Sequence, residues 1–128
     1  MLRDDTITIM AYNVGFTPEA ANQLRALRAT DRAKIADHCL RILSINPTLE
    51  SKARIKRLRE GTYPPYRLRV DDHRVFYDVD EAKQTVMIYG VVSKTEANNW
   101  LGTFTREVES DENGNDGGGA EKSTGTGS

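Results

Sequence analysis

The sequence predicts an α+β domain in the order β-α-α-β-β-β-α, an antiparallel sheet with a helical hairpin and a C-terminal helix. Three observations predict it. An alternating stretch near the start runs into a strong helix-start signal, and three more alternating stretches follow later across short polar connections. A last segment then carries its apolar residues at helical spacing.

The first strand lies within Ile7 to Phe16 and alternates best from Ala11 to Phe16. Thr17 is a good N-cap, Pro18 suits the first helical position because its missing N–H is not needed there, and Glu19 favours the positive helix end. This helix is expected to reach about Arg28, with Ala20, Leu24 and Leu27 on one face. A cap at Thr30 or Asp31 opens a second helix, with Ile35, Cys39, Ile42 and Leu43 at helical spacing, which stops before Asn46-Pro47. A base-rich linking stretch follows. The next strands are Tyr66 to Val70, Arg74 to Asp80 and Thr85 to Val92, and the connections Asp71-Asp72-His73 and Glu81 to Gln84 are of hairpin length. Ser93 and Glu96 have the spacing of a capping box, opening a helix from Lys94 to about Phe104 with Ala97, Trp100, Leu101 and Phe104 on one stripe.

The chain has 128 residues, enough for one domain. Its lone Cys39 cannot build a disulfide scaffold, which points to a reducing, cytoplasmic compartment. The longest charge-free run before the C-terminal region, Thr6 to Pro18, is too short for a membrane span, and the first residues do not fit a signal peptide. No membrane partner is expected. His38 and Cys39 point to different sides of a helix and have no second cluster, so no metal site or cofactor is implied.

The formal net charge of −1 averages two opposite parts. Arg106 to Ser128 holds six acids against two bases, six of the ten glycines and almost nothing apolar, and is read as an acidic, Gly-rich disordered tail, residues 106–128. Residues 11–105 form the expected domain, and residues 1–10 an N-terminal extension with Met10 as the expected original start. Within the domain, Ser51 to Arg74 carries eight bases against three acids, a local +5 that attracts phosphate or an acidic protein.

The segment Ile55-Lys-Arg-Leu-Arg-Glu-Gly-Thr-Tyr-Pro-Pro-Tyr-Arg-Leu-Arg-Val-Asp-Asp-His-Arg-Val-Phe-Tyr-Asp-Val79 resembles the central signature of the RelE/ParE toxin superfamily, and Phe16-Thr-Pro-Glu-Ala20 resembles the family's helix start. The resemblance covers about Ala11 to Phe104. It implies the toxin of a bacterial type II toxin–antitoxin pair, held inactive by a cognate antitoxin. RelE-like members cleave mRNA on the ribosome, ParE-like members poison DNA gyrase without being nucleases, and the fold is the same for both.

RelE-type cleavage needs a base for the ribose 2′ proton, cations for the phosphoryl oxygens and a donor for the leaving oxygen. Carried over by resemblance, the strand bases fall on Arg67, Arg69 and Arg74, the base before the last helix on Lys94, and the late aromatic on Trp100. Arg67 and Arg69, two apart on a strand, share a face. Guanidinium clamps phosphate through a planar fork but is a poor proton acceptor, and Trp100 can stack on a base but has no phenolic proton. His73, Lys94 and Glu96 are the acid/base candidates, although the capping box would occupy Glu96. Lys56, Arg57 and Arg59 are candidate RNA contacts.

Blander roles stand beside these. The bases serve equally as a solvated surface or as the landing site of an acidic antitoxin segment, Trp100 as core packing, and Cys39 as a buried thiol. What the resemblance implies first is a metal-independent, ribosome-dependent mRNA endonuclease. A ParE-like gyrase inhibitor and a decayed member that only binds antitoxin are the alternatives.

Overall fold

A computed structural model describes residues 11–116, with side chains to Ser110. The first strand, β1 (Asn13–Phe16), leads into α1 (Pro18–Arg25) and α2 (Ala29–His38), which widens into a π-helical turn at Cys39–Leu43. Four strands follow: β2 (Ile55–Arg57), β3 (Tyr66–Val70), β4 (His73–Asp80) and β5 (Thr85–Ser93). The last helix is α3 (Ala97–Asp116). Among the described residues the strands form one sheet in the order β1-β5-β4-β3-β2, antiparallel except for the parallel pair β1–β5. The α+β class and the predicted order of helices hold, with one strand added.

That strand, β2, lies in the base-rich stretch read as a linker. Ile55-Lys56-Arg57 is too short to display an alternation of its own and is held by pairing, Ile55 opposite Leu68 and Lys56 opposite Arg67. Its charged edge position suits a strand whose outer side must not recruit another chain. The preceding loop covers part of that side, because Ser51 Oγ accepts the Arg54 and Ile55 N–H groups and Glu50 Oε1 accepts that of Arg57 at 3.0 Å.

Helix starts and ends shift for identifiable reasons. Thr17 Oγ1 accepts the Ala20 N–H at 3.2 Å, as its sequence position predicts. Helix α1 stops at Arg25, short of Arg28, and Arg32 Nη1 donates to the Arg25 and Leu27 carbonyls left open there. Helix α2 then starts at Ala29, two or three residues earlier than a Thr30 or Asp31 cap allows, with Arg28 at its N-cap and no side-chain cap bond. The Ser93 capping box does not form. Ser93 ends β5, its hydroxyl pairs with Thr95, and the Glu96 carbonyl accepts the first helical N–H, from Trp100. At its far end α3 runs on to Asp116, into the segment read as tail, because extending a packed helix costs far less than nucleating one. Residues 1–10 and 117–128, with the extension and the rest of the predicted tail, lie outside the described residues.

The sheet has two unlike faces. On one, Leu68, Val70, Val75, Tyr77, Val86 and Ile88 pack against the helical hairpin through Ala20, Ile35, Cys39 and Leu43, and the Tyr77 hydroxyl donates to the Pro47 carbonyl at 2.7 Å. On the other, α3 lays Trp100 and Leu101 on Phe76, Val92 and Leu58. Gly90 is required there: a Cβ at that position would stand 2.5 Å from the Trp100 ring. A bulge opposite Phe76 and Tyr77 leaves Tyr89 as an extra residue and turns it toward Tyr63 and Phe104.

Candidate functional site

Helix α3 covers only part of its face. Beside it, strand register assembles a cationic array: Lys56 lies opposite Arg67, Arg69 lies opposite Arg74, and Arg67 lies opposite Phe76, which is already under Trp100. Because side chains alternate along a strand, Lys56, Arg67, Arg69 and Arg74 all belong to the α3 side of the sheet. Directly opposed like charges destabilise a sheet, by up to about 1 kcal/mol per pair. This arrangement therefore suits a surface that an anion will neutralise.

The three arginines are held differently. Arg69 is exposed, whereas Arg67 and Arg74 are half-buried, and the buried Nε of Arg67 has no hydrogen-bond partner among the described residues. An unpartnered donor at the base of a cationic groove is what an oxyanion would satisfy. Arg74 Nη1 donates to the Asp71 and His73 carbonyls at 2.9 and 3.0 Å, which fixes its guanidinium against the β3–β4 turn. Burial, and then the charges of Arg67 and Arg69, hold its pKa below the usual arginine value.

Other predicted site residues stand apart from this array. His73 begins β4 instead of sitting in the turn, since the turn needs only Asp71 and Asp72, with Asp71 in the left-handed region at φ 52°. Pairing with Val70 puts His73 on the hairpin side, so the sheet separates it from the arginines and it cannot serve as their acid/base. Arg57 is on that side too, donating to the Tyr66 hydroxyl at 3.0 Å and lying 5.0 Å over its ring. Lys94 adjoins the array, but its ammonium is 3.5 Å from the Asp72 carboxylate. Arg59 lies further along, in a shallow cleft beside Leu101 and Arg106 of α3. Trp100 is stacked on Phe76 and Phe104, at 5.2 and 4.9 Å between ring centres, which commits its ring to packing and not to a nucleotide base.

The sequence counted Lys52 and Arg54 in its basic stretch but pointed neither to Glu50 nor to where the loop before β2 lies. Glu50, Lys52 and Arg54 line one groove with Lys56, Arg67 and Arg69. The loop is folded onto the strand by Ser51, whose Oγ accepts the Arg54 N–H at 3.1 Å, a bond to backbone that leaves no mark in the sequence. Glu50 brings a carboxylate, a group able to accept a proton, to a groove whose other charged lining residues are all cations. Among the described residues no group of three or more His, Cys, Asp or Glu side chains could hold a metal ion. No helix among them is long and apolar enough to cross a membrane.

The family model of the ParE toxin of the type II toxin–antitoxin system parDE matches residues 14–97. The chain belongs to this family. The toxin's fold is also that of solved RelE proteins. In the toxin–antitoxin complex RelBE2 from Mycobacterium tuberculosis, the matching chain is 28% identical over 65% of this toxin and 98% of that chain, with a TM-score of 0.55. In the archaeal RelE–RelB complex from Pyrococcus horikoshii the identity is 22% over 66% of this toxin and 96% of that chain, again with a TM-score of 0.55. No curated protein matches the toxin significantly in sequence. The ParE match spans the first strand through the start of α3 and so includes the whole cationic array.

Proposed function

We propose that the toxin is a ribosome-dependent mRNA endonuclease, held inactive by a cognate antitoxin. One observation carries this reading: Arg69 and Arg74 oppose each other across two strands, with Arg67 and Lys56 beside them, on the part of the sheet face that α3 leaves open. In the reaction, the ribose 2′ oxygen attacks the neighbouring phosphorus and the bond to the 5′ oxygen breaks, leaving a cyclic phosphate and a 5′-hydroxyl. Arg67, Arg69 and Arg74 hold the phosphoryl oxygens and stabilise the charge that grows on them. Glu50 is the group on this groove that accepts the 2′ proton, and Lys56 is the cation that returns one to the leaving oxygen. The cognate antitoxin covers the same face with an acidic segment, because the charge of the array calls for an acidic partner.

A second reading, a ParE-like inhibitor of DNA gyrase, is favoured by a specific observation. The array is dominated by guanidinium groups, poor proton acceptors, while His73 faces away and Trp100 is packed. Expression of the full chain from a tight promoter without antitoxin separates the two. The endonuclease reading predicts cuts mapped within translated mRNA, lost in Arg67→Ala. Inhibited supercoiling with intact mRNA would replace it with the gyrase reading, and no growth arrest with intact mRNA would leave only antitoxin binding.

A further inference from the structure

We infer that the cationic groove continues past β3 into a second phosphate subsite, between α2 and the β3–β4 turn, that takes a neighbouring phosphodiester of single-stranded RNA. The inference rests on the endonuclease reading for its ligand, and on separate residues for its site. A second cleft is lined by Lys34 and His38 of α2, by Arg54, by Arg69 and by Asp71 and Asp72 of the turn. It shares Arg54 and Arg69 with the first groove, so the two form one track with these arginines at the junction. The Arg69 N–H donates to the Arg54 carbonyl at 2.9 Å, which holds the two residues side by side.

The charge balance in the cleft favours an anion. Both acids are already compensated: Lys34 Nζ is 2.5 Å from Asp71, and Lys94 Nζ is 3.5 Å from Asp72. The Arg54 and Arg69 side chains make no hydrogen bond or ion pair with another described residue, leaving two guanidinium charges for a ligand. His38 Nδ1 donates to the acceptor-only Lys34 carbonyl at 2.8 Å, which anchors the ring to its own helix, so the donors for an anion here are Lys34, Arg54 and Arg69. Asp71 competes with RNA for Lys34, and its removal therefore strengthens the subsite. A purely structural ion pair would give the opposite sign.

The experiment is fluorescence anisotropy of the full chain with labelled uridine dinucleotide and hexanucleotide, over a range of salt. Lys34→Ala, at a residue that lines only the second cleft, is expected to weaken the hexanucleotide about tenfold and lower its salt slope by about 0.7, the change for one lost single-strand phosphate contact, while leaving the dinucleotide unchanged. Asp71→Asn, which keeps a residue tolerant of the left-handed backbone, is expected to tighten the hexanucleotide about threefold. Arg67→Ala is expected to weaken both oligonucleotides. If Lys34→Ala and Asp71→Asn leave hexanucleotide binding and its salt slope unaltered while Arg67→Ala weakens both probes, the second subsite is refuted and the first groove stands. If Arg67→Ala changes neither probe, the RNA reading of the first groove falls instead.

Discussion

The two faces of the sheet are built from the same strands and do opposite things with them. Toward the helical hairpin, the middle of β3, β4 and β5 is fully buried: Leu68, Val75, Tyr77, Val86 and Ile88 have no measurable exposure. Toward α3, burial stops part-way. Phe76 and Val92 are covered, whereas Lys56 and Arg69 on the same face are exposed, so like charges stand next to an aromatic stack. One face supplies the stability that lets the other carry electrostatic strain, a division common where a rigid scaffold presents a binding surface.

The largest break in this contrast should come from the hairpin face. Leu68→Ala removes a fully buried side chain and is expected to cost about 2–5 kcal/mol in urea unfolding. Gly90→Ala strikes the covered half of the other face, forcing Trp100 off its stack at about 1–3 kcal/mol. Since Trp100 is the only tryptophan, its fluorescence should report the displacement directly.

Alkaline pH should also act through the hairpin face. Burial pushes the Cys39 thiol from its ordinary value of 9.0 up to about 12 and raises the Tyr77 phenol above its ordinary 10.0. In both cases the folded state holds the proton longer than the unfolded one, so their contribution is complete below pH 9 and falls as pH rises from 9 through 12. Urea midpoints should decline over that window, and a level midpoint would mean that neither group is desolvated. The smallest effect is expected at Arg69→Ala. It removes one of two opposed charges on an exposed position, and stability should stay within about 0.5 kcal/mol of the parent or rise slightly, while oligonucleotide binding weakens.

The contrast was only partly legible in the sequence. Strands Tyr66–Val70 and Thr85–Ser93 announce themselves because alternation and polar connections agree, and Thr17-Pro18-Glu19 marks a helix start with three independent signals. Strand β2 was not legible, because three residues held by cross-strand pairing leave no periodic trace. Within the site, the shared face of Arg67 and Arg69 follows from their spacing alone. Which face Arg74, His73 or Arg57 occupies depends on where the hairpins turn, and a one-residue difference moves a side chain across the sheet. His73 was misread for that reason. Glu50 needed tertiary information, since a folded loop brings it to the groove.

The account depends most on the open half of the α3 face acting as a phosphate clamp on RNA. The direct measurement is mapping of mRNA ends in cells expressing the full chain without antitoxin, beside an Arg69→Ala variant of matched stability and abundance. The account predicts new 5′ ends within translated mRNA for the parent and their loss in the variant. The same cuts at the same frequency in both, or intact mRNA in arrested parent cells, would contradict it.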